Sequence, residues 1–203
     1  MPSKTYSYLA LGDSYTIGES VPLYESFPYQ TVQLLRKAGH PVYAPEIIAK
    51  TGWTTDELQT GISNSHLLPA YDFVSLLIGV NNQYRGRSTE EYAQQFEVLL
   101  QQAIAFTGNN KRQVFVLSIP DWGITPFANG RDKAIITGQI DAFNAINKKI
   151  SEKYQVNYIE ITTGTREAEQ DLTLLAADQL HPSGKEYARW AVKVAEGIQT
   201  LLS

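Results

Sequence analysis

Short runs rich in β-branched and aromatic residues alternate with longer stretches of helical spacing from one end of the chain to the other, and few architectures accept that alternation. The runs lie at residues 6–11, 42–48, 73–78, 114–119 and 156–161. Between them, residues 28–38 carry Val32, Leu34, Leu35 and Ala38 near one face and stop at Gly39. Residues 89–106 repeat Phe96, Leu99, Leu100, Ala103 and Ile104 at spacings of three and four, behind Ser88 and Glu91 in the arrangement of a capping box. Residues 135–154 and 184–202 read similarly, the last with Ala188, Ala191, Val192, Ala195 and Ile198 as its apolar stripe. Strands separated by helices imply βαβ units, and so a mostly parallel sheet covered on both faces.

The run Phe73-Val74-Ser75-Leu76-Leu77-Ile78 suits a central strand buried on both sides. The expected fold class is α/β: a three-layer α/β/α sandwich around a flavodoxin-like five-stranded parallel sheet, order 2-1-3-4-5. No linker, internal repeat or low-complexity stretch interrupts the pattern, so residues 1–203 are expected to form one domain. Net charge is −4, and basic residues cluster only in pairs such as Lys111-Arg112 and Lys148-Lys149, which argues against a nucleic-acid partner. The absence of cysteine excludes disulfides, thiolate metal sites and cysteine nucleophiles. No stretch approaches the roughly 20 apolar residues of a transmembrane helix. With Met1 as the native start the chain is expected in the cytoplasm; a chain whose signal peptide had been removed would read the same.

In open α/β sheets ligands bind beyond the carboxyl ends of the strands, so the residues following each run are the ones to inspect. They are Gly12-Asp13-Ser14-Tyr15-Thr16, Lys50-Thr51-Gly52-Trp53-Thr54, Ile78-Gly79-Val80-Asn81-Asn82 and Ser118-Ile119-Pro120-Asp121-Trp122-Gly123. Late in the chain, Asp178-Gln179-Leu180-His181-Pro182-Ser183 precedes the final helix. A serine hydroxyl attacks only when a base removes its proton, and histidine suits that task near neutral pH. Of the three histidines, His40 sits in a helix-to-strand turn on the opposite edge of the sheet, and His66 sits in a polar connection. His181 alone follows a carboxylate at a spacing of three, which lets Asp178 fix one ring nitrogen and leave the other free. The same spacing also suits a pair that caps a helix N-terminus. Acyl transfer needs donors for the developing oxyanion, and Gly52 and Asn81 offer a backbone N–H and a side-chain amide. Each is equally at home as a turn residue.

Taken in order, Gly12-Asp13-Ser14, Gly52, Gly79-Val80-Asn81 and Asp178-Gln179-Leu180-His181-Pro182 resemble the four blocks of the SGNH (GDSL) hydrolase family, over nearly the whole chain. The resemblance implies a serine ester hydrolase in which Ser14 attacks the carbonyl, His181 is general base and then acid, and Asp178 orients His181. It also implies an oxyanion hole built from the backbone N–H groups of Ser14 and Gly52 and the Asn81 side chain, with no cofactor and no metal. Small acyl esters, such as lysophospholipids or acetylated sugars, are the expected substrates; the oligomeric state is not indicated. Many family members place aspartate after the block asparagine, whereas this chain has Asn82, which puts the support behind Asn81 in question. Asp13 is expected to anchor the nucleophile turn rather than act as a second acid. Trp53, Tyr84, Trp122 and Phe127 are expected near the rim, with residues 119–127 as a wall of the site.

The chief alternative is a non-catalytic flavodoxin-like ligand- or phosphate-binding module, since residues 14–20 are rich in hydroxyls after the first strand. That loop lacks the second glycine that would gather backbone N–H groups, and Glu19 would repel phosphate. A metal hydrolase would need a histidine pair at ligand spacing, and neither H-x-H nor H-E-x-x-H occurs.

Overall fold

A computed structural model describes residues 4–202. Met1, Pro2, Ser3 and Ser203 lie outside the described residues, and with them the start residue on which the compartment expectation rests. Five parallel strands form one sheet: β1 (Tyr8–Asp13), β2 (Glu46–Lys50), β3 (Phe73–Leu77), β4 (Val114–Leu117) and β5 (Asn157–Ile159), in the order β2-β1-β3-β4-β5. This is the architecture and order that the strand–helix alternation predicts. The eight α-helices among the described residues are α1 (Ser14–Ile17), α2 (Phe27–Lys37), α3 (Thr55–Ser63), α4 (Val80–Tyr84), α5 (Thr89–Ala105), α6 (Lys133–Tyr154), α7 (Thr162–Thr165) and α8 (Gly184–Leu202). Helix α2 packs on α8, while α3 packs on α5 and α5 on α6, which sandwiches the sheet. Leu9, Leu11, Val74, Leu76, Phe115 and Val116 are fully shielded, as a strand covered on both faces requires. None of the described helices is long and apolar enough to cross a membrane.

Strand limits move where the backbone finds other partners. The second strand begins at Glu46, not at 42, because Pro45 has no N–H to give; Val42 keeps only an isolated bridge to Tyr6. The fourth stops at Leu117 because the Ile119 N–H turns to the Asn144 side chain at 2.7 Å, ahead of Pro120. The expected apolar face of α5 is buried throughout, whereas at α2 Val32 and Leu35 are buried, Leu34 is half-buried and Ala38 is exposed. In α8 the buried face is Tyr187, Trp190, Ala191, Val194, Ala195 and Ile198, whereas Val192 is 42% exposed. Residues at three-, four- and seven-residue steps from Tyr187 share a face, and Val192 points a turn-fraction away from them. The capping box at α5 is half formed: Ser88 Oγ accepts from Glu91 N at 3.1 Å, but the Glu91 carboxylate bonds Arg87 and Gln95.

Helices α1, α3 and α4 had no periodic signal, being too short to display one. Each begins within a few residues of a strand's carboxyl end, so each is part of the site's frame. Reciprocal capping starts α3, with Thr54 and Glu57 satisfying one another's backbone N–H groups.

Candidate active site

Ser14 opens α1 directly after β1, at the top of the sheet's centre. Two glycines make that turn possible. A Cβ on Gly12 would lie 2.1 Å from Thr16 Oγ1 and 2.5 Å from the Leu77 carbonyl, and Gly18 ends the helix at φ +77° with its N–H on the Ser14 carbonyl. Asp13 caps α1, its Oδ1 accepting from Tyr15 N at 3.0 Å, which is the anchoring role expected of it. Burial pushes the Asp13 carboxyl up to about 7 against that hydrogen bond, and its Oδ2 has no hydrogen-bond partner. The turn that carries Ser14 therefore rests on a carboxyl that favours its neutral form at lower pH.

His181 and Asp178 belong to a closed loop. Leu175 bridges Pro182, Ala176 N donates to the His181 carbonyl at 2.8 Å, and Gln179 takes φ +58° to complete the turn. Asp178 uses its two oxygens separately. Oδ1 accepts the backbone N–H groups of Leu180 and His181, both at 3.0 Å, and Oδ2 meets His181 Nδ1 at 2.6 Å. Ser20 Oγ donates to the same Oδ2 at 2.7 Å from across the cleft. Partial burial alone would raise the Asp178 pKa, but hydrogen bonds from His181, Ser20 and the two backbone amides hold it down at about 2. The carboxylate is thus charged across the physiological range and fixes the imidazole through Nδ1. Asp178 serves its own loop and the ring, not the N-terminus of α8. His181 is 7% exposed, and the Tyr15 ring lies against it at 5.3 Å between centroids.

The remaining predicted residues come from the second and third strand ends. Gly52 adopts φ +81° in the turn after β2, and Arg85 reaches over from the end of α4 to hold its carbonyl, Nη2 to O 2.6 Å, while Nη1 bonds Glu57. Gly79 takes φ +132°, where a Cβ would sit 2.6 Å from the Tyr92 ring. Asn81 follows in the first turn of α4, its Nδ2 donating to the Trp53 carbonyl at 3.0 Å and keeping one hydrogen uncommitted. Asn82 is fully buried and clamps the start of α3: its Oδ1 accepts from Thr55 N at 3.1 Å and its Nδ2 donates to Thr55 Oγ1 at 2.7 Å, the latter oxygen donating on to Gln95. An amide can both accept and donate here, which gives a physical reason for asparagine at this position.

One cavity of about 210 Å³ is lined by Ser14, Tyr15, Gly52, Asn81 and His181 on its polar side, together with Thr51. Val80, Tyr84, Trp122, Phe127 and Leu180 complete the lining. Four of the five predicted site residues therefore share one cleft, and Asp178, the fifth, is bonded to His181 behind it. His40 and His66 take no part in the lining. The expectation for the aromatic rim holds for Tyr84, Trp122 and Phe127, and residues 119–127 supply part of the wall. It fails for Trp53, whose ring packs over Gly61 of α3 so tightly that a Cβ there would lie 2.2 Å from it. Sequence reasoning gave no role to Ser20, which reaches the site through a contact distant in the chain, or to Thr51 and Leu180, which lie beside Gly52 and His181. Thr51 Oγ1 bonds the Glu19 carboxylate, so the loop after Ser14 touches both the Gly52 turn and, through Ser20, Asp178. No group of three or more histidine or acidic side chains placed to hold a metal occurs among the described residues.

Comparison with known folds and families agrees with this arrangement. The chain superposes on a lipase/acylhydrolase from Enterococcus faecalis with a TM-score of 0.76 at 16% identity, covering 97% of this chain and 96% of that one. It superposes on Axe2, an acetylxylan esterase from Geobacillus stearothermophilus, with a TM-score of 0.75 at 17% identity, covering 97% and 95%. TesA gives 0.69 at 17% identity, covering 96% and 99%. No curated protein matches the sequence. At such identities the likeness speaks for the fold. The sequence itself matches the profile of the GDSL-like Lipase/Acylhydrolase family over residues 10–189, nearly the whole length, so the chain belongs to that family and with it to the carboxylic ester hydrolases.

Proposed function

We propose that the protein hydrolyses small acyl esters through an acyl-enzyme on Ser14, with His181 as proton shuttle and Asp178 as its orienting carboxylate. The observation that carries this reading is the cleft itself, where Ser14 and His181 line one cavity while Asp178 holds His181 Nδ1 at 2.6 Å. Occupation of Nδ1 leaves Nε2 as the ring's base. Ser14 Oγ attacks the carbonyl carbon as its proton passes to Nε2, and the π electrons move onto the carbonyl oxygen. The N–H groups of Ser14 and Gly52 and the second hydrogen of Asn81 Nδ2 receive that oxyanion. Its collapse breaks the ester C–O bond, and Nε2 returns the proton to the departing alcohol. Water repeats the sequence on the acyl-enzyme, releasing the acid and restoring Ser14.

The cavity's mixed lining, polar beside Ser14 and apolar around Trp122 and Leu180, suits an ester with a compact non-polar group. Acetylated sugars and lysophospholipids are both candidate substrates; the structural likeness to an acetylxylan esterase favours testing the former first. A serine-reactive phosphonate should label the wild type in a one-to-one ratio, and Ser14→Ala should abolish both labelling and turnover of a short-chain aryl ester. Retained burst kinetics in that variant would refute the assignment.

A further inference from the structure

The aromatic wall of the cleft is assembled from separate segments, and a residue outside the cavity lining joins them. Tyr84 ends α4, whereas Trp122 and Phe127 come from two short 3-10 turns after β4, Trp122–Ile124 and Pro126–Ala128. Trp122 is anchored from below: its indole N–H donates to Gln83 at 2.7 Å, and Gln83 donates to Gln139 at 2.7 Å. Tyr84 and Phe127 meet Trp122 edge-to-face, at 5.3 and 6.0 Å between ring centroids, yet stay 45% and 43% exposed, so those contacts leave much of each ring uncovered. The Arg131 guanidinium makes up for this. Its central carbon lies 4.9 Å from the Tyr84 ring centre, 5.2 Å from that of Trp122 and 5.9 Å from that of Phe127, and its Nη2 donates to the Tyr84 hydroxyl at 3.0 Å. Cations bind aromatic faces at these distances, and a planar guanidinium stacks better than an ammonium.

We propose that Arg131 is the specificity-determining residue of this cleft, stapling Tyr84 and Phe127 to the fixed Trp122 ring and so limiting the cavity to esters with compact groups. The proposal rests on the serine-hydrolase reading of the same cleft and names the substrate class it admits. A cavity of about 210 Å³ walled by these rings suits a compact acyl or alcohol group. Without the staple only the edge contacts with Trp122 hold the two half-exposed rings, which then swing outward more readily and open the wall toward solvent.

The test is a series of p-nitrophenyl esters from acetate to octanoate, and a second series of acetates with alcohols of increasing size. Wild type should prefer the short members of at least one series. Arg131→Ala should raise kcat/KM for the longest member relative to the shortest by at least tenfold in that series. Arg131→Lys, which keeps a cation over the rings, should shift the ratio less. A merely structural role would lower all members together and leave the ratio unmoved. Tyr84→Ala removes the same wall from the other side and should reproduce the change should Arg131→Ala fold poorly. Unchanged ratios in both series for both variants would overturn the proposal. Ser14→Ala separates the two readings: turnover surviving in it refutes the serine nucleophile, while the ratio still reports on the wall whichever group attacks.

Discussion

Replacing Asp13 with asparagine should stabilise the protein at pH 8 and change its stability little at pH 5. Asp13 is 1% exposed, and burial raises its pKa from 3.8 to about 7. A raised folded-state pKa means that the folded protein holds a proton the unfolded chain has released between those two values. The contribution is fully present below pH 3.8 and is lost as pH rises through about 7. At about 1.4 kcal/mol per pH unit over that interval, the charged carboxyl costs the fold on the order of 4 kcal/mol at pH 8. Asparagine has the same shape, caps a helix about as well, and keeps an oxygen for the Tyr15 N–H at 3.0 Å. Its Nδ2 replaces an oxygen that has no hydrogen-bond partner, which offsets about 1–3 kcal/mol of the gain. The expected net advantage of Asp13→Asn is therefore roughly 1–3 kcal/mol at pH 8, vanishing toward pH 5. Urea unfolding of both proteins at pH 5, 6, 7 and 8 measures it. Parallel stability curves over that range would show that the carboxyl does not titrate there and would refute the reasoning.

Asn81→Ala should lower kcat by about 100- to 1,000-fold if its free amide hydrogen meets the oxyanion, with KM little changed; a steady-state kcat within a few-fold of wild type would return Asn81 to a structural role. Asn82→Ala strips both bonds from Thr55 and leaves a buried N–H unpaired, so urea titration should show a loss of about 2–4 kcal/mol. Ser20→Ala deletes one of two bonds to Asp178 Oδ2 and should cut kcat about five- to tenfold at constant KM, the size of a single hydrogen bond. An unaltered kcat would mean that His181 and the backbone amides hold the carboxylate unaided.

Layer order and the long helices were legible because parallel strands and amphipathic helices write their periods into the sequence. The local turns that hold Ser14 and the Asp178–His181 pair leave a spacing in the sequence, but that spacing equally suits a helix cap and points to a site only within the ordered set of blocks. Gly52 and Asn81 became candidates only as members of an ordered set, since a turn glycine and a turn asparagine are common. Ser20 and Arg131 carry no local signal at all, and Thr51, although beside Gly52, carries none for its contact with Glu19. Each acquires its partner from a segment brought near only by the fold, as Ser20 does from Asp178. Trp53 shows the opposite failure: a loop aromatic looks available in sequence, and a glycine eight positions later, Gly61, is what absorbs it. Val192 was misplaced because an apolar residue at the edge of a helical stripe is as compatible with water as with the core.

The bond between Ser20 and Asp178 joins residues 158 positions apart. During synthesis, a chain extended only to residue 170 already has β1 and the turn bearing Ser14, yet it contains no imidazole at position 181 to activate that hydroxyl. On the proposed mechanism, competence arrives only when the loop ahead of α8 settles beside α1. Ester cleavage should then report that residues 14 and 181 have come together, and a product clipped ahead of residue 178 should stay chemically silent.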